Sequence, residues 1–212
     1  HDWRIGLLAA ILLIVSPRFF AESFYNSKDM VFMSLFALAT YSAISFLLKP
    51  SWASALAHGV VTALAMDIRI MAITIWAVTL VVALLRAIRK EVLWKKTILL
   101  LALYSLVSAV VMYLLWPWLW DEPIARFTEA FQKMSQFSRG PHDLLYWGQV
   151  VKTTQLPWHY IPAWMVITTP LLYVALFLVG AMGTLRALTS RLWRLWGNDT
   201  ELQDLIFLGL VV

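Results

Sequence analysis

The sequence contains no cysteine. A chain without cysteine forms no disulfide bond, binds no metal through thiolates and has no thiol nucleophile. The sequence also lacks an HExxH motif, a glycine-rich phosphate-binding loop and an ordered Ser-His-Asp set. A zinc protease, a nucleotide-binding enzyme and a soluble serine hydrolase therefore have no motif to support them.

Charged residues are scarce as well. Asp, Glu, Lys and Arg make up 14% of the 212 residues, whereas 61% are hydrophobic. An ordinary soluble domain is about half apolar and a quarter charged. Apolar runs recur along the chain, several of them near the roughly 20 residues that cross a hydrocarbon core of about 30 Å. The sequence thus predicts an all-α fold, a polytopic transmembrane helical bundle.

The apolar runs are separated by short breaks that carry charges or proline. The runs cover residues 5–15, 30–48, 54–66, 71–85, 97–120, 164–185 and 205–212. The first and last runs are shorter than a span, and residue 1 is His rather than Met. We therefore expect an internal fragment, truncated at both ends, that forms a single transmembrane domain over residues 1–212.

Basic residues cluster in two connections, 86–96 and 186–204. Because basic loops favour the cytoplasmic side, we place both connections inside. Alternation of the spans then puts residues 16–30 and 121–162 outside. The inner side holds ten basic and five acidic residues, and the outer side holds seven of each. Membrane topology thus explains the net charge of +5, and no nucleic acid partner is expected.

The long outer loop, residues 121–162, contains a predicted amphipathic helix. Pro123 suits the first turn of a helix. Apolar side chains follow at spacings of three and four residues: Ile124, Phe127, Phe131 and Met134. This pattern is typical of a helix lying in the outer membrane interface, and the alternative is a helix packed on its neighbours.

Charged side chains gather near the outer ends of the predicted spans. They are Arg18, Glu22, Lys28, Asp29, Asp67, Arg69, Asp121 and Glu122. Charges close to the membrane are costly, and their grouping on one side indicates a site for an anionic lipid whose phosphate meets Arg or Lys. The alternative is structural. Asp29, at the start of a span, then pairs with Lys28 or Arg18, and Asp67 pairs with Arg69.

Histidine offers one further candidate. Pro157 and Pro162 stiffen the segment that holds His159 near the outer boundary. A single histidine without neighbouring His, Asp or Glu at ligand spacing is weak evidence for a metal. We expect His58 to be buried structure and His142 to lie in an exposed loop.

Four stretches together resemble a known family. They are "SPRFFAESFYNSKDMVFMSLFALATY", "ALAMDIRIMAI", "YLLWPWLWDEP" and "LPWHYIPAWMVITTPLLY". In content and order they are similar to the family 39 glycosyltransferases of the GT-C superfamily. That family comprises the dolichyl-phosphate-mannose protein mannosyltransferases and bacterial relatives such as the lipid A aminoarabinose transferases.

The resemblance implies an enzyme that moves a sugar from a polyprenyl-phosphate donor to a protein or lipid acceptor on the extracytoplasmic face. It also implies an integral membrane protein, in contact with membrane lipids, in a bacterial inner membrane with its active site facing the periplasm or exterior. No cofactor is certain, and a divalent metal stays open. The rival interpretation is a transporter or channel subunit, but the charges lie at span ends rather than at the midplane.

The resemblance also assigns roles to residues. Asp29 is similar to the second acidic position of the family and takes a supporting acidic role. The principal base is expected upstream of this fragment, because the family's first outer loop has no counterpart here. Arg69 is similar to the family's basic position and binds the phosphate, together with Arg18 or Lys28. His159 is placed in the wall of the site.

Overall fold

The computed structural model describes residues 3–136, 142–189 and 196–211. Contacts divide the chain into two compact units, residues 1–131 with 206–212 and residues 132–205. Four charges counted in the predicted topology lie outside the described residues: Asp2, Arg139, Arg191 and Arg194.

The first unit begins with two short helices. Helix α1 spans Trp3–Val15 and helix α2 spans Pro17–Glu22. At 1.5 Å per residue, α1 is about 20 Å long, which is less than a full membrane crossing. Proline fits the first position of α2, because the amide hydrogen that proline lacks has no helical partner there. The charged connection between the first two apolar runs is therefore partly helical.

Four longer helices form the bundle of the first unit. They are α3 (Ser27–Leu48), α4 (Trp52–Ile68), α5 (Ile73–Ile88) and α6 (Trp94–Leu115). A short 3-10 turn, Ile70–Ala72, joins α4 to α5. Within the described residues, three helical segments are long and apolar enough to cross a membrane: Ser27–Leu48, Ile70–Ile88 and Trp94–Leu115. The predicted membrane helical bundle is confirmed.

Helix α4 packs against both α3 and α6, and α5 packs against α3 and α6. The buried face of α4 consists mostly of small side chains, and its Gly59 lies close against α6. A Cβ atom on Gly59 would lie 2.9 Å from the Cβ of Val107 and 3.1 Å from the carbonyl oxygen of Tyr104. Small residues allow such close packing of helices in a membrane.

Large apolar side chains point away from this bundle. Exposed examples are Val31, Leu38, Tyr41, Leu56, Val60, Val81, Leu84, Leu99, Leu106 and Val110. Lipid chains are as apolar as leucine, so the exposed apolar surface costs nothing in a bilayer. This distribution fits an integral membrane protein.

A small apolar cluster lies near the end of the bundle where α4 passes into α5. Its buried members are Ala39, Ala43, Ala65, Met66, Ala72 and Ile75. Met112 of α6 and Leu210 pack against it. Leu210 belongs to α10, Asp199–Val211, which contributes its residues from 206 onward to this unit.

The chain turns sharply after α6. The apolar run predicted to reach residue 120 leaves the helix at Leu115, because Pro117 restricts the backbone of Trp116 and has no amide hydrogen. A 3-10 turn, Pro117–Leu119, follows. Helix α7 then spans Pro123–Ser135, so the helix predicted to begin at Pro123 is present.

The second unit contains a β-hairpin that the sequence pattern did not predict. Strands β1 (Asp143–Tyr146) and β2 (Gln149–Lys152) pair antiparallel. Trp147 and Gly148 form the turn, with φ angles of 50° and 77°. Two residues with positive φ match the twist of a tight hairpin, and glycine adopts that conformation readily.

The hairpin leads through a 3-10 turn, Thr153–Gln155, to two apolar helices. Helix α8 spans Tyr160–Thr168 and α9 spans Leu171–Thr189. The apolar run predicted over residues 164–185 is therefore present, but it is divided between two helices. The helix ends at Thr168 because the residue before Pro170 avoids the helical conformation.

Candidate functional site

Asp29 and Arg69 form an ion pair between α3 and the end of α4. Asp29 lies in the first turn of α3, where the helix dipole favours a negative charge. Arg69 follows α4 in an extended conformation and leaves the helix axis before the 3-10 turn begins. The side chains are 51% and 36% exposed, respectively, so both stay accessible. The pair bridges 40 positions of sequence.

The amide of Asn26 connects Asp29 to a second carboxylate. Its nitrogen donates to Glu22 at 2.8 Å and to Asp29 at 3.1 Å. Its oxygen accepts the backbone N–H of Asp29 at 3.1 Å, which caps α3. Two carboxylates, one amide and one guanidinium thus meet at the start of α3. Glu22 is among the outer charges expected from the sequence, whereas Asn26 is not.

The remaining charges of this region differ in their placement. Arg18 lies exposed on α2, and Lys28 lies exposed in the first turn of α3. Asp67 is half-buried in the last turn of α4. Asp29 pairs with Arg69, a long-range partner that was not among the local partners considered from the sequence.

A second charged cluster lies at the other end of the bundle, where α3 and α5 end. Arg86 donates to Glu91 at 3.0 Å and to the backbone carbonyl of Leu47 at the end of α3. Arg89 also pairs with Glu91, at 3.3 Å. Asp29 with Arg69 and Arg86 with Glu91 therefore mark opposite ends of the four helices.

An apolar groove opens between α6 and α7, with a volume of about 460 Å³. Its walls are the last turns of α6 and the first turns of α7, including Met112, Phe127 and Ile124. Met112 also packs against the cluster that contains Met66 and Ala72, each three residues from Arg69. The groove thus lies at the same end of the bundle as the Asp29–Arg69 pair.

Two tryptophans after α6 contact the helices that line the groove: Trp118 contacts α7 and Trp120 contacts α6. The guanidinium of Arg126 on α7 lies 4.3 Å from the ring centre of Trp118, a cation–π contact. Arg126 also pairs with Glu129 at 3.4 Å. The ring N–H of Trp120 donates to the carbonyl of Tyr113 at 2.8 Å and satisfies an acceptor near the end of α6.

His159 belongs to the second unit and lies among aromatic rings. It precedes α8, and its ring centre lies 5.8 Å from Tyr146 and 5.6 Å from Trp158. A cavity of about 240 Å³ lies nearby, lined by side chains of the hairpin and of α8 that include Tyr146, Trp147 and Trp164. The predicted role of His159 in the wall of the site stays a prediction.

His58 is fully buried in the first unit, as expected from the sequence. His142 is exposed before β1, also as expected. In the described residues, no group of three or more His, Asp or Glu side chains is arranged to hold a metal ion.

These features define an integral membrane protein, a helical bundle with an accessible carboxylate–guanidinium pair and an apolar groove at the same end. Residues 2–118 match the family model described as dolichyl-phosphate-mannose-protein mannosyltransferase. The match covers more than half of the chain, and the chain belongs to this family of membrane glycosyltransferases. It includes Asp29 and Arg69 and ends before α7 and His159.

The chain matches no curated protein. It also matches no solved structure.

Proposed function

We propose that this protein transfers a sugar from a polyprenyl-phosphate donor to a hydroxyl group of a protein or lipid acceptor on the extracytoplasmic face of the membrane. The observation that carries the proposal is the Asp29–Arg69 pair, which presents both a carboxylate and a cation at one end of the bundle. The family supports sugar transfer, and its description as a dolichyl-phosphate-mannose-protein mannosyltransferase family supports a lipid phosphate donor.

The transfer exchanges one bond for another. The acceptor oxygen bonds to the anomeric carbon of the sugar, and the bond from that carbon to the phosphate oxygen breaks. The electron pair leaves with the polyprenyl phosphate, and the acceptor proton passes to a general base. Such a reaction needs a base, a cation at the departing phosphate and close alignment of the two substrates.

Arg69 suits the phosphate. A guanidinium carries five N–H donors in a planar fork, so its pairing with Asp29 leaves donors for a phosphate oxygen. Arg18 and Lys28, exposed near the same helix start, add positive charge for the phosphate. In this proposal Asp29 supports the principal base by orienting the acceptor and by holding Arg69 in place.

The apolar groove suits the hydrocarbon chain of the donor. It is lined almost entirely by apolar side chains of α6 and α7 and lies at the Arg69 end of the bundle. An amphiphile with a phosphate head and an isoprenoid tail places its charge at Arg69 and its tail along such a groove. The hydrophobic contribution to binding is proportional to the apolar area of the tail that the groove removes from water.

Replacement of Asp29 by Asn tests the proposal. The substitution keeps the size of the side chain but removes its charge, so we expect turnover to fall by about a hundredfold, the lower end of the effect of a positioned acid or base. The measurement is sugar transfer from a polyprenyl-phosphate donor by the purified full-length protein, which includes the segment expected to hold the principal base, expressed per folded molecule. A folded Asp29→Asn protein with wild-type turnover would refute the assignment.

Glu91→Gln is the matched control. Glu91 pairs with Arg86 and Arg89 at the other end of the bundle, so this change also removes a carboxylate from an ion pair. We expect it to lower thermal stability but not turnover per folded molecule. An equal loss of turnover in both variants would show that ion-pair loss acts through the fold rather than through the site.

A further inference from the structure

The side chain of Asn26 makes more hydrogen bonds than a helix cap needs. A cap requires one oxygen to accept a backbone N–H, and the Asn26 oxygen does so from Asp29. The two amide hydrogens have a separate task, because they donate to Glu22 and to Asp29. Asn26 is half-buried, and its backbone N–H donates to the carbonyl of Glu22 at 2.8 Å.

These contacts fix the orientation of the amide. Rotating it by half a turn would point the oxygen at two carboxylates and the NH₂ group at a backbone N–H, so every contact would become repulsive. The amide therefore binds both carboxylates in one arrangement only. The Asp29 carboxylate in turn receives Asn26 on one oxygen and Arg69 on the other.

We propose that Asn26 is a positioning residue that sets the orientation of the Asp29 carboxylate through an amide bridge to Glu22. This inference rests on the role given to Asp29 under the proposed function. The bridge ties the start of α3 to the end of α2, so the Asp29 carboxylate is held from both sides, by Asn26 and by Arg69. A misplaced catalytic group lowers the rate even when substrate binding is intact.

Two substitutions separate positioning from capping. Serine and aspartate at position 26 both cap a helix well, but neither supplies two amide hydrogens. We expect Asn26→Ser to lower kcat about tenfold with an unchanged KM for the donor. Asn26→Asp, which places a third carboxylate beside the first two, should lower kcat further. Thermal unfolding of Asn26→Ser should stay close to that of the wild type.

The double variant Asn26→Ser with Asp29→Asn gives the decisive measurement. If Asn26 acts through Asp29, adding Asn26→Ser to Asp29→Asn should cause no further loss of kcat, since effects of groups that act together do not add. Multiplied effects of the two changes would overturn the inference. Asp29→Asn with wild-type turnover would overturn the proposed function and this inference together, whereas loss in Asp29→Asn without loss in Asn26→Ser would overturn the inference alone.

Ser51→Ala serves as the control for capping. Ser51 caps α4 at the other end of the bundle, where its oxygen accepts the N–H of Ser54 at 3.1 Å. Its loss should lower the melting temperature by about 2–4 °C and leave kcat unchanged. Should both Asn26 variants fail to fold while Ser51→Ala folds, Asn26 serves the fold and the inference is wrong.

Discussion

His58 is a side chain whose polar contacts are all made inside the bundle. Nδ1 of His58 lies 2.7 Å from the hydroxyl of Ser42 on α3, and Nε2 lies 3.0 Å from the hydroxyl of Thr79 on α5. The ring also stacks on Tyr104 of α6 with centres 4.5 Å apart. His58 itself belongs to α4, so its ring joins all four helices.

Removing this ring should weaken the bundle. His58→Ala leaves the hydroxyls of Ser42 and Thr79 without the ring and opens a cavity beside Tyr104, so we expect a loss of about 2 kcal/mol or more. Thermal unfolding in detergent measures the loss, and His142→Ala, at an exposed position, is the matched control. Equal melting temperatures of His58→Ala and His142→Ala would contradict the structural role of His58.

The contact between α4 and α6 depends on Gly59. The hydroxyl of Ser108 on α6 donates to the backbone carbonyl of Gly59 at 3.2 Å, so a side-chain hydrogen bond also joins the two helices. A methyl group at residue 59 would push against Val107 and the Tyr104 carbonyl. The backbone of Tyr104 cannot yield without moving α6.

Gly59→Ala should therefore destabilise the protein by about 1–3 kcal/mol, although alanine is the better helix former. Gly180→Ala on α9 is the control, because a Cβ at that position meets no atom within 4 Å. We expect the control to be neutral or slightly stabilising. The measurement is the melting temperature of both variants. A Gly59→Ala protein at least as stable as Gly180→Ala would show that α4 and α6 can move apart without loss of stability.

The apolar runs were sufficient to predict most helices of the bundle. The run that starts at Met30 becomes α3, and the break around Pro50 becomes the turn before α4. The apolar pattern alone does not show where proline interrupts a helix, and Pro170 divides the run at 164–185 between α8 and α9. The hairpin was missed because its strands are only four residues long and Gly148 was its main turn signal.

The candidate site was only partly predictable. The start of a span after a charged connection pointed to Asp29, and the end of the next run pointed to Arg69. Their pairing depends on how α3 and α4 pack, which periodicity does not specify. The spacing of Asn26 and Asp29 resembles a helix cap, but the bridge to Glu22 depends on the turn between α2 and α3.

The charges at the two ends of the bundle predict its orientation in the membrane. The ends of the bundle carry different charges, with Asp29 and Arg69 at one end and Arg86, Arg89 and Glu91 at the other. Basic connections favour the cytoplasm, so the Asp29 end should face outward. The absence of cysteine allows single cysteines to report each end. Suitable exposed positions are Ser23, in the turn before α3, and Lys95, at the start of α6.

In intact cells, an impermeant thiol reagent should label Ser23→Cys and leave Lys95→Cys unlabelled, because only the outer end is in contact with the reagent. A permeant reagent should label both, which controls for local accessibility. Ser135→Cys, at the end of α7, should behave like Ser23→Cys, since the predicted topology places both on the outer side. Selective labelling of Lys95→Cys would show that the bundle has the opposite orientation, with Asp29 and Arg69 on the cytoplasmic side. An extracytoplasmic sugar transfer through these residues would then be impossible, even if Asp29→Asn proved inactive.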